Sequence, residues 1–184
     1  MPDNLQQHHR RSLRLRDYDY SQEGAYFITI CAQGKLCLFG EPCESGIKLW
    51  AAGRMIEDWW LKLPTKFLTI EPDEFVVMPN HFHGVLTIVG ATPCGCQPKP
   101  DHTTESGHPR GGAPTVGDAI DWFKTMTTNA YIRGVSEQAW PRFSGRLWQR
   151  NYYEHVIRNE DELNRARQYI IDNPVKWARD PEHS

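Results

Sequence analysis

Two apolar runs, Phe-Val-Val-Met at 75–78 and Phe-His-Gly-Val-Leu-Thr-Ile-Val at 82–89, are joined through nothing longer than Pro79-Asn80-His81. So short a connection holds a turn and excludes a crossover helix, which makes the two runs neighbouring antiparallel strands. The rest of the chain has to be arranged around that pair. Residues 25–31 (Ala-Tyr-Phe-Ile-Thr-Ile-Cys) follow Gly24 and are aromatic and β-branched, as a buried strand is. Residues 36–39 and 47–49, with Gly40, Pro42 and Gly46 between them, predict a short hairpin. Ile56, Trp59, Trp60 and Leu63 recur at helical spacing and predict a helix over 50–63 that Pro64 stops. Thr115 is placed to cap a second helix over 116–132, through Ile120, Phe123, Thr127 and Tyr131, with Gly134 ending it. Residues 148–157 predict a further strand, and Asn159 caps a last helix over 160–172 that Pro174 closes. The order strand, helix, strand, strand, helix, strand, helix is that of a split βαβ sheet with one appended helix, an α+β fold.

A chain of 184 residues has room for one domain and some spare polar chain. Residues 1–24 show no sustained period and carry Arg10, Arg11, Arg14 and Arg16 close together, which predicts a basic arm ahead of a single domain over 25–184. Residues 90–113 hold five Gly and four Pro and cannot be core, so they predict a flexible loop. The formal net charge is −2, so no global excess of positive charge announces a polyanion and any such site is local. Fourteen of the 21 basic residues are Arg, whose planar fork suits phosphate. The five Cys form no CxxC pair and follow no signal peptide, and no apolar run approaches the roughly 20 residues of a membrane span. These features predict reduced thiols in a cytoplasmic protein with no membrane partner. Cys94 and Cys96, near His102 and His108, lack the paired spacing of a structural zinc site.

The chemistry-bearing residues lie on the second strand of the central pair and on the last helix. Strand side chains alternate, so His81 and His83 share one face while Phe82 points to the other. Neutral imidazole is the commonest metal ligand, and two on one rigid strand form most of a half-open divalent site. The same pattern also fits two histidines on a half-exposed strand with no metal. Tyr169 and Asn173 are four residues apart, one above the other on one helix face. A phenol with a pKa of about 10 is a poor nucleophile at neutral pH unless a metal polarises its electrophile. Metal-assisted phosphotyrosine chemistry needs that combination; a buried stripe holding Tyr169, with Asn173 as C-terminal cap, is the other reading.

Residues 75–86 (Phe-Val-Val-Met-Pro-Asn-His-Phe-His-Gly-Val-Leu), 148–158 (Trp-Gln-Arg-Asn-Tyr-Tyr-Glu-His-Val-Ile-Arg) and 169–175 (Tyr-Ile-Ile-Asp-Asn-Pro-Val) together resemble the HUH single-tyrosine transposases, in particular the REP-associated tyrosine transposases. Met-Pro-Asn-His-x-His, then Trp-Gln-Arg, then Tyr-Ile-x-x-Asn-Pro, in that order, is a specific pattern. The resemblance extends to 11–16, Tyr18-Asp19-Tyr20, 26–31 and Leu38-Phe39-Gly40, and spans most of the chain except 90–113. It implies a ferredoxin-like antiparallel sheet bearing the histidine pair centrally, helices on one face, and an appended C-terminal helix carrying the nucleophile. It further implies that His81 and His83 ligate Mg²⁺ or Mn²⁺, that Asn173 is a third ligand where the family more often has Gln, Asp or Glu, and that Tyr169 is the nucleophile. The substrate so implied is single-stranded DNA, on hairpin-forming repeats, cleaved and rejoined through a 5′-phosphotyrosine by a monomer or homodimer. Tyr152 and Tyr153 are rival nucleophiles, but their strand lacks the amide four residues on.

For DNA holding, Arg10, Arg11, Arg14 and Arg16 are placed to track phosphates, and Lys124, Arg146, Arg150 and Arg158 to line a channel. Trp148 reads as a core residue. Two other functions fit the same residues: a domesticated hairpin-DNA-binding protein that no longer cleaves, and a metal-dependent phosphodiesterase that uses water.

Overall fold

The computed structural model describes residues 22–44, 46–90 and 113–179. In chain order the elements are β1 (Gly24–Cys31), β2 (Gly40–Cys43), β3 (Gly46–Leu49), α1 (Ala51–Leu61), α2 (Leu63–Lys66), β4 (Ile70–Val77), β5 (His81–Ile88), α3 (Val116–Glu137), β6 (Tyr153–Ile157) and α4 (Glu160–Arg179). Four strands form one antiparallel sheet in the order β4-β5-β1-β6, with β2 and β3 as a separate hairpin. The fold is α+β and ferredoxin-like, with α4 appended. β4 and β5 are the neighbours that the Pro79-Asn80 turn demands, and Val77 stands opposite Phe82.

Alternation divides the sheet into two faces. Tyr26, Ile28, Ile30, Phe82 and Leu86 are fully buried together with Ile56 and Trp60 of α1 and Ile120 and Phe123 of α3. Each such side chain withdrawn from water contributes about 1.5–3 kcal/mol. Gly84 lies under this layer, where a Cβ would come within 2.8 Å of the Trp60 and Phe82 rings. The opposite face is covered by α4: Leu163, Ala166 and Ile170 pack on Phe27, Val76, Val85 and Ile157. The sheet is thus clasped between α1 and α3 on one side and α4 on the other.

Several boundaries differ from the sequence expectations. The first hairpin strand is 40–43, because Leu38 and Phe39 turn inward and are buried. Pro64 sits in the first turn of α2, where its missing N–H is harmless, and α1 has already ended at Leu61. Gly134 lies within α3, not past its end; a Cβ there would come within 2.3 Å of the Trp140 indole, so the glycine serves close packing. β6 begins only at Tyr153, since Trp148 makes a lone bridge to Ala32 and buries its indole, donating Nε1–H to Thr127 Oγ1 at 2.9 Å. Pro174 does not close α4, which continues to Arg179. Its ring packs on the β2–β3 turn, 3.2 Å from where a Cβ on Gly46 would stand, and this tertiary support outweighs the bond the Ile170 carbonyl loses.

Among the described residues no helix is long and apolar enough to cross a membrane. The predicted arm over 1–24, save its last three residues, lies outside the described residues, as does all but the ends of the predicted loop over 90–113.

Candidate active site

His81 and His83 stand on one face of β5 with Phe82 buried behind them. Cross-strand register sets Cys31 opposite His81 and Thr29 opposite His83, so β1 supplies the partners. The order of hydrogen bonds fixes the imidazoles. Asn80 Nδ2 donates to the Lys35 carbonyl at 3.2 Å, which turns Asn80 Oδ1 towards His81 Nδ1 at 2.8 Å. That oxygen can only accept, so His81 carries its proton on Nδ1 and presents a lone pair at Nε2. His83 Nδ1 lies 2.8 Å from Thr29 Oγ1, a hydroxyl able to donate or accept and so to serve either tautomer. The Lys35 carbonyl is aimed by a tight turn with positive φ at both Gly34 and Lys35.

The two Nε2 atoms are 3.0 Å apart. Two nitrogens each about 2.1 Å from one ion, at a right angle, would stand about 3.0 Å apart, so the spacing fits one edge of an octahedral coordination sphere. With both Nδ1 atoms held by Asn80 and Thr29, the pair has the orienting partners typical of ligating histidines. Burial pulls the His83 pKa down to about 4, which keeps that imidazole in the neutral, ligating form. Among the described residues no three His, Cys, Asp or Glu side chains gather as a metal site, so a third donor drawn from these residues would be of another type.

Such a donor lies across the cleft. Tyr169 and Asn173 of α4 line the same opening, of about 780 Å³, as Thr29, Asn80, His81 and His83. Asn173 is 8% exposed and Tyr169 45%, an amide at the wall and a phenol at the mouth. The Tyr169 ring stands edge-on to His83, centroids 5.3 Å apart, and to Phe27 at 5.8 Å. Because α4 runs on past Pro174, Asn173 is not a C-terminal cap, and Trp177 one turn further lies 5.0 Å from the His81 ring. Burial also pushes the Cys31 thiol pKa up, against the pull of Lys35, so this cleft thiol stays protonated.

Other predicted residues are dispersed. Tyr153 lies on β6 outside the cleft, and Tyr152 packs against the core. Lys124 is half-buried, and its ammonium donates to the carbonyls of Gln149 and Arg150 at 2.8 and 3.0 Å, bracing the segment before β6. Gln149 ties that segment to β1 in turn, its N–H donating to the Cys31 carbonyl at 2.9 Å. Arg146, Arg150 and Arg158 are exposed. Arg10, Arg11, Arg14 and Arg16, and Cys94, Cys96, His102 and His108, lie outside the described residues. Thr29 and Asn80 were not singled out from the sequence as site residues. Asn80 was visible as a turn former and as part of the Met-Pro-Asn-His-x-His pattern, and Thr29 becomes a partner of His83 only through register.

The architecture is thus a four-stranded ferredoxin-like sheet with a histidine pair on a central strand, β5, and a tyrosine on the helix packed across it. No profile of a known protein family matches the chain. The fold is similar to the solved structure of a REP-associated tyrosine transposase bound to a REP hairpin, with a TM-score of 0.54 and 20% identity over 90% of this chain and 74% of that one. The chain is also 36% identical over 176 residues to an uncharacterized protein of Haemophilus influenzae, covering 94% of this chain and 92% of that protein. It belongs to one family with that protein.

Proposed function

We propose that the chain is a DNA strand transferase that cleaves single-stranded DNA, at hairpin-forming repeats, through a 5′-phosphotyrosine on Tyr169, and so takes part in DNA transposition. The observation that carries this reading is the convergence of Tyr169, Asn173 and the oriented His81/His83 pair on one cleft. The fold-level likeness to a transposase bound to a REP hairpin supports the choice of DNA.

His81, His83 and Asn173 would hold Mg²⁺ or Mn²⁺, which when bound neutralises charge on a scissile phosphate oxygen. Asn80 and Thr29 keep the two Nε2 atoms converged, so no reorganisation of the imidazoles accompanies binding. The Tyr169 phenol forms a bond to phosphorus as the bond to the 3′ oxygen breaks. The phenolic proton leaves to water, and the departing oxygen takes one up as a 3′-hydroxyl. Because one ester replaces another, the phosphoester bond is conserved, and a second 3′-hydroxyl can reverse the step and join strands without ATP. The half-exposed setting of Tyr169 leaves its oxygen open to a strand laid across the cleft.

Incubation of the protein with end-labelled single-stranded hairpins and Mg²⁺ or Mn²⁺, followed by a denaturing gel, tests this reading. A label shifted to the mass of protein plus strand supports it. Cleavage without such a species favours a water-using phosphodiesterase, and binding without cleavage favours a hairpin-binding protein.

A further inference from the structure

Tyr169 lines two depressions at once. One is the histidine cleft; the other is a groove of about 400 Å³ between β6 and α4 on the same sheet face. The groove has an apolar floor of Phe27, Ile157 and Ala166, and a rim of Tyr153 and His155 from the edge strand β6 and Arg165 from α4. The carboxylate among its lining residues, Glu162, is engaged: it accepts from the Arg158 N–H at 2.7 Å and lies 3.9 Å from His155 Nε2. Flat aromatic surface over an apolar floor, with an arginine at the rim, is the chemistry that receives an unpaired base and an adjoining phosphate. Nothing in the mechanism above uses this groove.

Its position selects the nucleotide. In-line displacement sends the departing 3′ oxygen away from the attacking phenol, so the strand that remains beside Tyr169 is the one that keeps the 5′-phosphate. We propose that the groove seats the base of the nucleotide immediately 3′ of the cleaved bond, stacked on Tyr153 and Phe27, with Arg165 at the phosphate that follows it. This assignment rests on the strand-transfer reading. It makes the groove a holder of the retained strand while the freed 3′ end exchanges.

The test begins with hairpin oligonucleotides carrying randomised single-stranded flanks, incubated with the full chain and Mn²⁺; the covalent species is recovered and the cleaved position read. Absence of any covalent species overturns strand transfer and the groove assignment together. Otherwise an abasic residue is placed immediately 3′ of the break, and binding is measured in the Tyr169→Phe background, where no strand is cut. The expected loss in affinity is roughly tenfold, the scale of one base stacked on an aromatic ring. Tyr153→Ala should give the same loss on the intact strand and no further loss on the abasic one, while Tyr153→Phe keeps full affinity. Arg165→Gln should reduce the log–log salt slope by about 0.7, one phosphate contact on a single strand. Additive losses, or an abasic residue without effect on a strand that still forms the covalent species, overturn the groove and leave strand transfer standing. If melting shows Tyr153→Ala unfolded, the abasic strand and Arg165→Gln decide the question, since neither alters β6.

Discussion

On one face of β5, Phe82 meets Trp60 and Phe123 ring to ring, at centroid distances of 4.6 and 5.3 Å, over a glycine that leaves them room. On the other, His81 and His83 meet Asn80, Thr29 and each other atom to atom, at 2.8–3.0 Å. The two faces belong to the same eight residues but obey different rules. The core face is governed by volume, and any apolar group of the right size serves it. The cleft face is governed by donor and acceptor identity, and a change of one atom leaves a neighbour unmatched. A variant on one face should therefore damage stability and spare chemistry, and a variant on the other should do the reverse.

The sharpest break in this comparison is at the proposed nucleophile. Tyr169→Phe removes one oxygen from a half-exposed ring and should abolish the protein–DNA species, a loss on the order of a thousandfold or more. Its melting temperature and hairpin binding should stay at wild-type values. A covalent species that persists would move the nucleophile to Tyr153 or Tyr152.

The next effect lies on the opposite face. Phe82→Ala should lower unfolding free energy by about 3–5 kcal/mol, read from urea denaturation, because it opens a cavity among Trp60, Phe75 and Phe123. A loss under about 1 kcal/mol would mean that this aromatic layer collapses to fill the gap.

Asn80→Ala separates positioning from ligation. It removes the acceptor that sets the His81 tautomer, so Mn²⁺ affinity measured by calorimetry should fall roughly 10- to 100-fold. Asn80→Asp, which still accepts from Nδ1–H, should keep most of that affinity. Equal losses in both variants would show that Asn80 acts on the Lys35 turn and not on the imidazole.

The smallest effect concerns how α4 is held over the cleft. Arg167 donates to Asp73 of β4 in a two-pronged pair, Nη2 to Oδ2 at 2.6 Å and Nε to Oδ1 at 3.1 Å. The Arg167 hydrogen bonds hold the Asp73 pKa below its ordinary value, with the Glu74 N–H helping and burial opposing. A depressed native pKa means that this stability is present above the unfolded value of about 3.9 and disappears as pH falls through the native one. Asp73→Asn should therefore cost at most about 1 kcal/mol at pH 7, since the pair is partly solvated. The difference from wild type should vanish in acid; a gap that persists there would locate the effect in packing.

The regular parts of this fold were legible because local rules and tertiary outcome agree. Period-two alternation named the two faces of β5, and the Pro79-Asn80 turn named its neighbour β4. The misread boundaries at Gly134 and Pro174 share one cause. A glycine and a proline that would stop an isolated helix are tolerated here because Trp140 packs on the first and the β2–β3 turn on the second. The hydrogen bonds of Lys124 were not legible for a related reason: a cation's partners depend on which carbonyls come within reach, and those belong to residues 25 and 26 positions away.

By itself the sequence determined the chemical inventory and its local geometry: two imidazoles on one side of a strand, a phenol and an amide on one side of a helix. Those follow from the fixed periods of strand and helix, which each segment carries alone. Only the tertiary structure decided that the two sets face each other across one cleft, that Thr29 and Asn80 orient the imidazoles, and that Tyr169 borders a second groove. Each of these depends on strand register and on the packing of α4 across the sheet, contacts between residues distant in sequence. Register is set by the sum of side-chain packing over a whole face.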